Sequence, residues 1–293
     1  MSEPQKPIIL EEQGAIAIIR LNRPDVLNAL DVPMAEAFLA AIQSIVDRPE
    51  IRAIVIRGEG RAFCAGGDVA SFQRAAGHVA EHVDRIIRPF HEAIEILAAL
   101  PQPSIALLHG AVAGAGLSLA LACDFAISAE NARFTLAYSR IGASPDGSSS
   151  WFLPRIVGLR KAKEIALLAD PFVGAEAHRL GLVNRVVLVD AFEREGMALA
   201  ARLAAGPTAA YGRIKALLHG SFDTSHSDQL EALRQDFKDL ASSADFADAG
   251  ARIEPDAQRH PGGDETRNDL HGRTRQHEWR IRLGVSAGSL PAM

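Results

Sequence analysis

Two cysteines in 293 residues are too few to staple a fold. Cys64 and Cys123 sit in apolar stretches, without CxxC spacing or clustered histidines. They read as reduced core thiols, and no metal site is expected. Positive charge is not in excess: 31 Lys and Arg face 36 Asp and Glu, a net charge of -5. That balance argues against a nucleic-acid partner. No apolar run reaches membrane-spanning length, so no membrane partner is expected. The opening MSEPQKPIILEEQG has no apolar signal segment, and the expected location is cytoplasmic. The glycine-rich stretches contain neither GxGxxG nor a P-loop Lys-Ser/Thr, which removes the common phosphate cradles.

What is present is ample apolar material, 48% of the chain, at a length that suggests about two domains. IILEE and AIAIIRL flank Gln13-Gly14 and predict a hairpin. Pro33 to Val46 has helical spacing, with Asp31 placed to cap it. Ala53 to Gly58, Ser104 to Gly110 and Asp124 to Ser128 are short buried strands, and Ala80 to Leu100 is a long helix closed by PQP. Strands alternating with helices predict parallel pairing with helical crossovers. From Ser148 onward the pattern is nearly all helical, broken at Gly206-Pro207. After Arg252 the composition turns charged and Gly/Pro-bearing, and reads as a disordered tail.

Two glycine turns interrupt this pattern. GAVAGAGLSLALACD, Gly110 to Asp124, is too glycine-rich for an ordinary helix and too apolar for an ordinary loop. A strand ends before it and a helix starts near Ala115. The first N–H groups of that helix lack intrahelical partners and lie at its positive end. AFCAGGD, Ala62 to Asp68, repeats the design. Each turn alone is explained by close packing of small residues. Together they suggest that the N–H groups of Gly67 and Ala115 grip one oxygen and polarise a carbonyl.

The chain resembles the crotonase superfamily, the enoyl-CoA hydratases and isomerases. The likeness covers about Ile8 to Arg252. It rests on LNRPDVLNAL, AFCAGGD, PSIALLHGAVAGAGLSLALACD, IGASPDGSSSWFLPRIVG and AHRLGLVNRVV. The resemblance implies an α/β spiral of ββα units over residues 1–205 and a C-terminal helical trimerisation subdomain over 206–252. Residues 253–293 form an atypical tail. It implies an acyl-CoA thioester substrate, with coenzyme A as part of the substrate and no separate cofactor. A homotrimer or dimer of trimers is expected. Gly67 and Ala115 would form the oxyanion hole. Val26, Ala65, Asp68, Gly114 and Tyr138 would line the coenzyme A or acyl path.

Hydratases of this family hold a water between two glutamates, and here those positions are Ser118 and Tyr138. Neither can act as a carboxylate base. Asp146, in GASPDGSSSWF, is the available carboxylate. Taken alone it reads as a helix cap. In the isomerase branch, which includes the ring-opening isomerases of phenylacetate breakdown, an Asp at this point shuttles the proton. The resemblance therefore favours a double-bond isomerase with Asp146 catalytic. Burial against Trp151 and Phe152 is expected to raise its pKa. His91 reads as a capping or partly exposed histidine. It also falls where 4-chlorobenzoyl-CoA dehalogenases carry one, so hydration and aryl-CoA dehalogenation stand as alternatives. A catalytically weak acyl-CoA-binding scaffold is the alternative of another class. Lys215 faces either solvent or a coenzyme A phosphate.

Overall fold

The computed structural model describes residues 5–243 and 245–248. The tail after Arg252 lies outside the described residues. The chain opens with an antiparallel hairpin, β1 (Ile8–Gln13) and β2 (Ile16–Leu21), turning at Gly14. The helix α1 (Val32–Gln43) follows, and the Asp31 side chain accepts the Met34 N–H at 3.0 Å. Such a cap contributes about 1 kcal/mol. Then come β3 (Ala53–Gly58), α2 (Val69–Arg74), α3 (Val79–Ala99), β4 (Ser104–Leu108), β5 (Ala111–Ala113), α4 (Ala115–Ala122), β6 (Phe125–Ala129) and β7 (Arg133–Thr135). The second half runs α5 (Ser149–Val157), α6 (Leu159–Leu168), β8 (Phe172–Val173), α7 (Gly174–Arg179), β9 (Arg185–Val187), α8 (Phe192–Ala204), α9 (Thr208–Gly220) and α10 (His226–Leu240).

Two sheets organise these elements. The larger has the order β1-β2-β3-β4-β6-β9, parallel from β2 onward. The smaller has the order β5-β7-β8. The parallel crossovers expected from the alternation of strand and helix are present. The later half is less purely helical than its pattern suggests. RVV and FV form β9 and β8, strands of three and two residues. Segments so short carry no readable period, and pairing with β6 and β7 decides their state.

The larger sheet is buried on both faces, which is why its strands are apolar runs rather than alternations. Ile19, Ile54, Ile56, Ala106 and Leu108 face one core, with Phe38 of α1 and Leu97 of α3. Ile18, Val55, Ile105 and Leu107 face the other, with Ala200 and Leu203 of α8. Removing each such Val, Leu or Ile from water contributes about 1.5–3 kcal/mol.

The repeat behind the spiral is visible in the chain order. A strand of the large sheet leads to a strand of the small one, then to a helix: β4, β5, α4. The preceding turn is an abbreviated copy, β3, a single bridge at Cys64, α2. That bridge pairs Cys64 with Val112 of β5. Cys64 N–H donates to Ala111 at 3.1 Å, and Ala113 N–H donates to Cys64 at 2.9 Å. Adjacent turns of the spiral therefore bring the two glycine passages side by side.

Candidate active site

The two glycine turns meet backbone to backbone. A Cβ on Gly66 would lie 3.2 Å from the Ala113 carbonyl oxygen, and one on Gly114 would lie 3.5 Å from Gly66 Cα. Both residues have positive φ, +104° and +47°. Such angles are open to glycine and strained for a residue with a Cβ. Close packing is served as well. Gly116 supplies the packing, since a Cβ there would sit 2.4 Å from the Cys64 oxygen. Among the described residues, neither the Gly67 nor the Ala115 N–H donates to another backbone group.

Gly67 and Ala115 line one cavity of about 450 Å³, together with Ala65, Gly114, Tyr138 and Asp146. Its wall is apolar: Leu30, Val69, Phe72, Val83, Ile86 and Ile141. These wall residues are absent from the sequence-level site. For Val83 and Ile86 the signal is the 4-3-4 spacing of Val79, Val83, Ile86 and Phe90, one stripe of α3. Among the described residues, Asp146 is the one carboxylate on the cavity wall.

Asp146 does not cap a helix with its side chain. Its carbonyl accepts the Ser149 N–H at 3.1 Å and the Ser149 hydroxyl at 2.8 Å. The carboxylate is left for the cavity, where it accepts a hydrogen bond from the Tyr138 phenol. Tyr138 is buried and stands on a 3-10 turn, Ala137–Ile141. Its oxygen lies 3.2 Å from the Ser118 hydroxyl, and Ser118 in turn donates to the Gly114 carbonyl at 3.2 Å. Ser118 is fully buried. His91, exposed on α3, accepts the Gly147 N–H on Nε2 at 3.0 Å. It anchors the backbone one residue beyond Asp146.

Burial pushes the Asp146 carboxyl above its ordinary range, against the Tyr138 hydrogen bond and the nearby His91, which both pull it down. Burial, with the Asp146 charge beside it, pushes the Tyr138 phenol far up, so it remains a donor. Trp151 and Phe152 line a different cavity, with His91 and His219, and Asp146 shares its own with Tyr138 and the apolar wall. Burial also pushes the Cys64 thiol up to about 11, so no thiolate nucleophile stands under the turn.

Three other residues lie apart from this centre. The Asp68 carboxylate is buried, accepts the Ser71 N–H at 3.1 Å and pairs with Arg23 at 3.2 Å, which also holds Asp31. It fastens the two loops rather than facing the cavity. Val26 is exposed on the short helix Pro24–Val26 and does not line the cavity. Lys215 is largely buried within its own chain. Its ammonium lies 2.8 Å from Asp124 and donates to the Leu100 carbonyl at 2.9 Å.

The family described as Enoyl-CoA hydratase/isomerase matches residues 11–254. The chain belongs to the enoyl-CoA hydratase/isomerase family. It is 39% identical over 236 residues to a probable enoyl-CoA hydratase of Rhodobacter capsulatus, covering 80% of this chain and 90% of that one. It is 32% identical over 244 residues to the 1,2-epoxyphenylacetyl-CoA isomerase of Escherichia coli, covering 82% and 92%. The crystal structure of an enoyl-CoA hydratase from Polaromonas sp. superposes with a TM-score of 0.81 at 34% identity, covering 85% of this chain and 97% of that one. The fold is accordingly the crotonase fold, and the chain is an enzyme of a family that acts on acyl-CoA thioesters. Among the described residues, no helix is long and apolar enough to cross a membrane.

Proposed function

We propose that this family member is an acyl-CoA double-bond isomerase in which Asp146 alone moves the proton. The observation that carries this reading is the single carboxylate, among the described residues, of the cavity that Gly67 and Ala115 also line. The thioester oxygen is bound by the N–H groups of Gly67 and Ala115, as negative charge develops on it. One such donor contributes roughly 2.7–4 kcal/mol to the transition state. The polarised carbonyl acidifies the adjacent C2–H of a 3-enoyl-CoA. The Asp146 carboxylate takes that proton, leaving a dienolate and a carboxylic acid. The acid then protonates C4, the C2=C3 double bond forms, and the carboxylate is restored. One group suffices because it serves alternately as base and acid. Its raised pKa suits both halves of the cycle.

The positions that hydratases fill with glutamates hold Ser118 and Tyr138, hydrogen-bonded to one another. This supports isomerisation over hydration. Dehalogenation with Asp146 as nucleophile is less well supported, because the Nε2 lone pair of His91 is already engaged by Gly147. The apolar wall favours an acyl group without charge. Ile214, Leu218 and Phe222 of α9 and its C-terminal edge, with Leu230 and Phe237 of α10, are exposed. They support trimer formation through these helices.

The test is turnover of 3-hexenoyl-CoA beside crotonyl-CoA, with wild type and Asp146→Asn. Conversion to 2-hexenoyl-CoA, lost in the variant and with little hydration of crotonyl-CoA, is expected. Hydration that survives in the variant, without isomerisation, overturns the role of Asp146.

A further inference from the structure

The Gly114–Ala115 peptide carries two opposed jobs. Its N–H belongs to Ala115, which lines the cavity and, among the described residues, donates to no other backbone group, and its carbonyl oxygen accepts the Ser118 hydroxyl. A hydrogen bond to the carbonyl of a peptide polarises the whole unit and strengthens its N–H as a donor. Ser118 has one hydroxyl proton and two neighbours that want it. One is the Gly114 oxygen and the other is the Tyr138 oxygen, each at 3.2 Å. Tyr138 likewise has one proton, and it is given to Asp146.

We infer that Ser118 and Tyr138 are positioning residues that relay the protonation state of Asp146 to the oxyanion donor of Ala115. While Asp146 is a carboxylate, it holds the phenol proton, and the Ser118 proton is shared between the Tyr138 oxygen and the Gly114 carbonyl. When Asp146 takes the substrate proton, it becomes a poorer acceptor. The phenol proton then turns to Ser118, and the Ser118 proton is driven onto the Gly114 carbonyl. The Ala115 N–H is strengthened at the stage when the oxyanion exists. Stabilisation that grows with the charge raises turnover, whereas uniform binding does not. No proton leaves the relay: each O–H only changes its acceptor. The inference rests on the shuttle role proposed for Asp146.

The relay has a signature that needs no turnover. Bound hexanoyl-CoA, labelled with 13C at its carbonyl, reports the donor strength of the oxyanion hole by its infrared stretch. In wild type the stretch moves to lower frequency as pH falls and Asp146 protonates. Among the described residues, three titratable groups are coupled to Asp146: Tyr138 from the 3-10 turn, His91 from α3 and the buried Cys64 thiol. A direct field effect of any of them persists when Ser118 is truncated, whereas the relay does not. Ser118→Ala is expected to hold the stretch at the high-frequency value across the pH range. Tyr138→Phe, which leaves the Ser118 proton entirely to Gly114, is expected to hold it at the low-frequency value. In turnover, Ser118→Ala lowers kcat roughly 2- to 8-fold, the contribution expected of one cooperative hydrogen bond to an oxyanion donor, with KM little changed.

A wild-type stretch that does not respond to pH overturns the relay. So does a Ser118→Ala stretch that keeps the wild-type response. If Asp146→Asn abolishes isomerisation while either of these results is found, the relay falls and the shuttle stands. If Asp146→Asn retains isomerisation, the shuttle itself falls, and with it the catalytic use of the relay.

Discussion

His91 and Gly147 come from segments 56 residues apart, and the imidazole Nε2 accepts the Gly147 N–H at 3.0 Å. Gly147 has a φ of +57°, and a Cβ there would meet Phe90 and Ser118, each at 2.8 Å. The turn carrying Asp146 is therefore pinned from α3 and packed from α4. His91→Ala removes the pin without touching the carboxylate. Misplacement of a reacting group by about 1 Å costs on the order of 100-fold. A kcat lowered roughly 10- to 100-fold, with His91→Gln retaining more activity because its amide oxygen can accept the same N–H, is the expected outcome. Steady-state kinetics of the two variants check it.

Tyr138 supplies the hydrogen bond that opposes the effect of burial on Asp146. Removing it with Tyr138→Phe raises the Asp146 pKa further. In the proposed mechanism proton abstraction needs the carboxylate, so activity is expected to fall on the acid side as pH drops through that pKa. The acid limb of kcat/KM therefore moves to higher pH in Tyr138→Phe. A limb that stays in place, or moves down, would show that the phenol does not stabilise the carboxylate.

Asp146 also sets a stability term with a definite sign. Its native pKa lies above the ordinary value of 3.8. Between those two values the native state keeps a proton that the unfolded chain has released, so stability falls as pH rises through the window. Above the window the cost of the buried carboxylate is fully present. Asp146→Asn carries no charge and should melt higher than wild type at pH 7, the two converging below about pH 3.8. For a chain of this size a rise of roughly 2–4 °C corresponds to 1 kcal/mol. Calorimetry at both pH values checks it, and equal melting temperatures at pH 7 would refute it.

The parts legible in the sequence are those written in local pattern. Asp31 before an apolar helix, the hairpin at Gly14 and the buried runs of β3 and β4 all have the expected state. The two glycine turns were legible as a pair because each follows a buried strand. Their contact was not, because it depends on a single bridge between Cys64 and Val112. The partners of Asp146 were legible only as residue types. Tyr138 has the polarity of a wall residue and the burial of a core residue, and only the placement of its hydroxyl distinguishes the two. Lys215 carries no local cue, since its acceptors lie more than 90 positions away on another element.

Lys215 and Asp124 form a nearly enclosed ion pair, with side-chain exposures of 11% and 15%. Asp124 also accepts the Ser104 N–H at 2.8 Å, so the pair ties α9 to the start of β4. Lys215→Met leaves the carboxylate without its cation. Breaking one side of a buried pair costs about 3–5 kcal/mol. Urea unfolding should show a loss of that order, reduced when Asp124→Asn is combined with it. Binding of coenzyme A should be unchanged in the fraction that is folded, because the ammonium is engaged within its own chain. Loss of coenzyme A affinity without loss of stability would contradict this assignment.

Gly116 separates the packing of the spiral from its chemistry. It lies one residue beyond the amide of Ala115, the proposed oxyanion donor, and its missing side chain is the space in which Cys64 sits. A Cβ would meet the Cys64 oxygen at 2.4 Å and its Cβ at 2.7 Å. Neither neighbour can yield cheaply. The oxygen belongs to backbone that accepts the Ala113 N–H at 2.9 Å, and the side chain is buried. Gly116→Ala must therefore move α4 away from the AFCAGGD turn. Overpacking of this kind costs about 1–3 kcal/mol. The same displacement carries Ala115 away from Gly67, and the two proposed donors would no longer converge on one oxygen. Loss of one donor lowers turnover roughly 100- to 1000-fold. Gly116→Ala should thus lose far more in kcat than its modest loss of stability suggests. Cys64→Gly, combined with it, removes the Cβ contact but not the one at the oxygen, and should restore stability in part without restoring kcat. Recovery of both together would mean that the side chain, not the backbone oxygen, sets the spacing of the two turns.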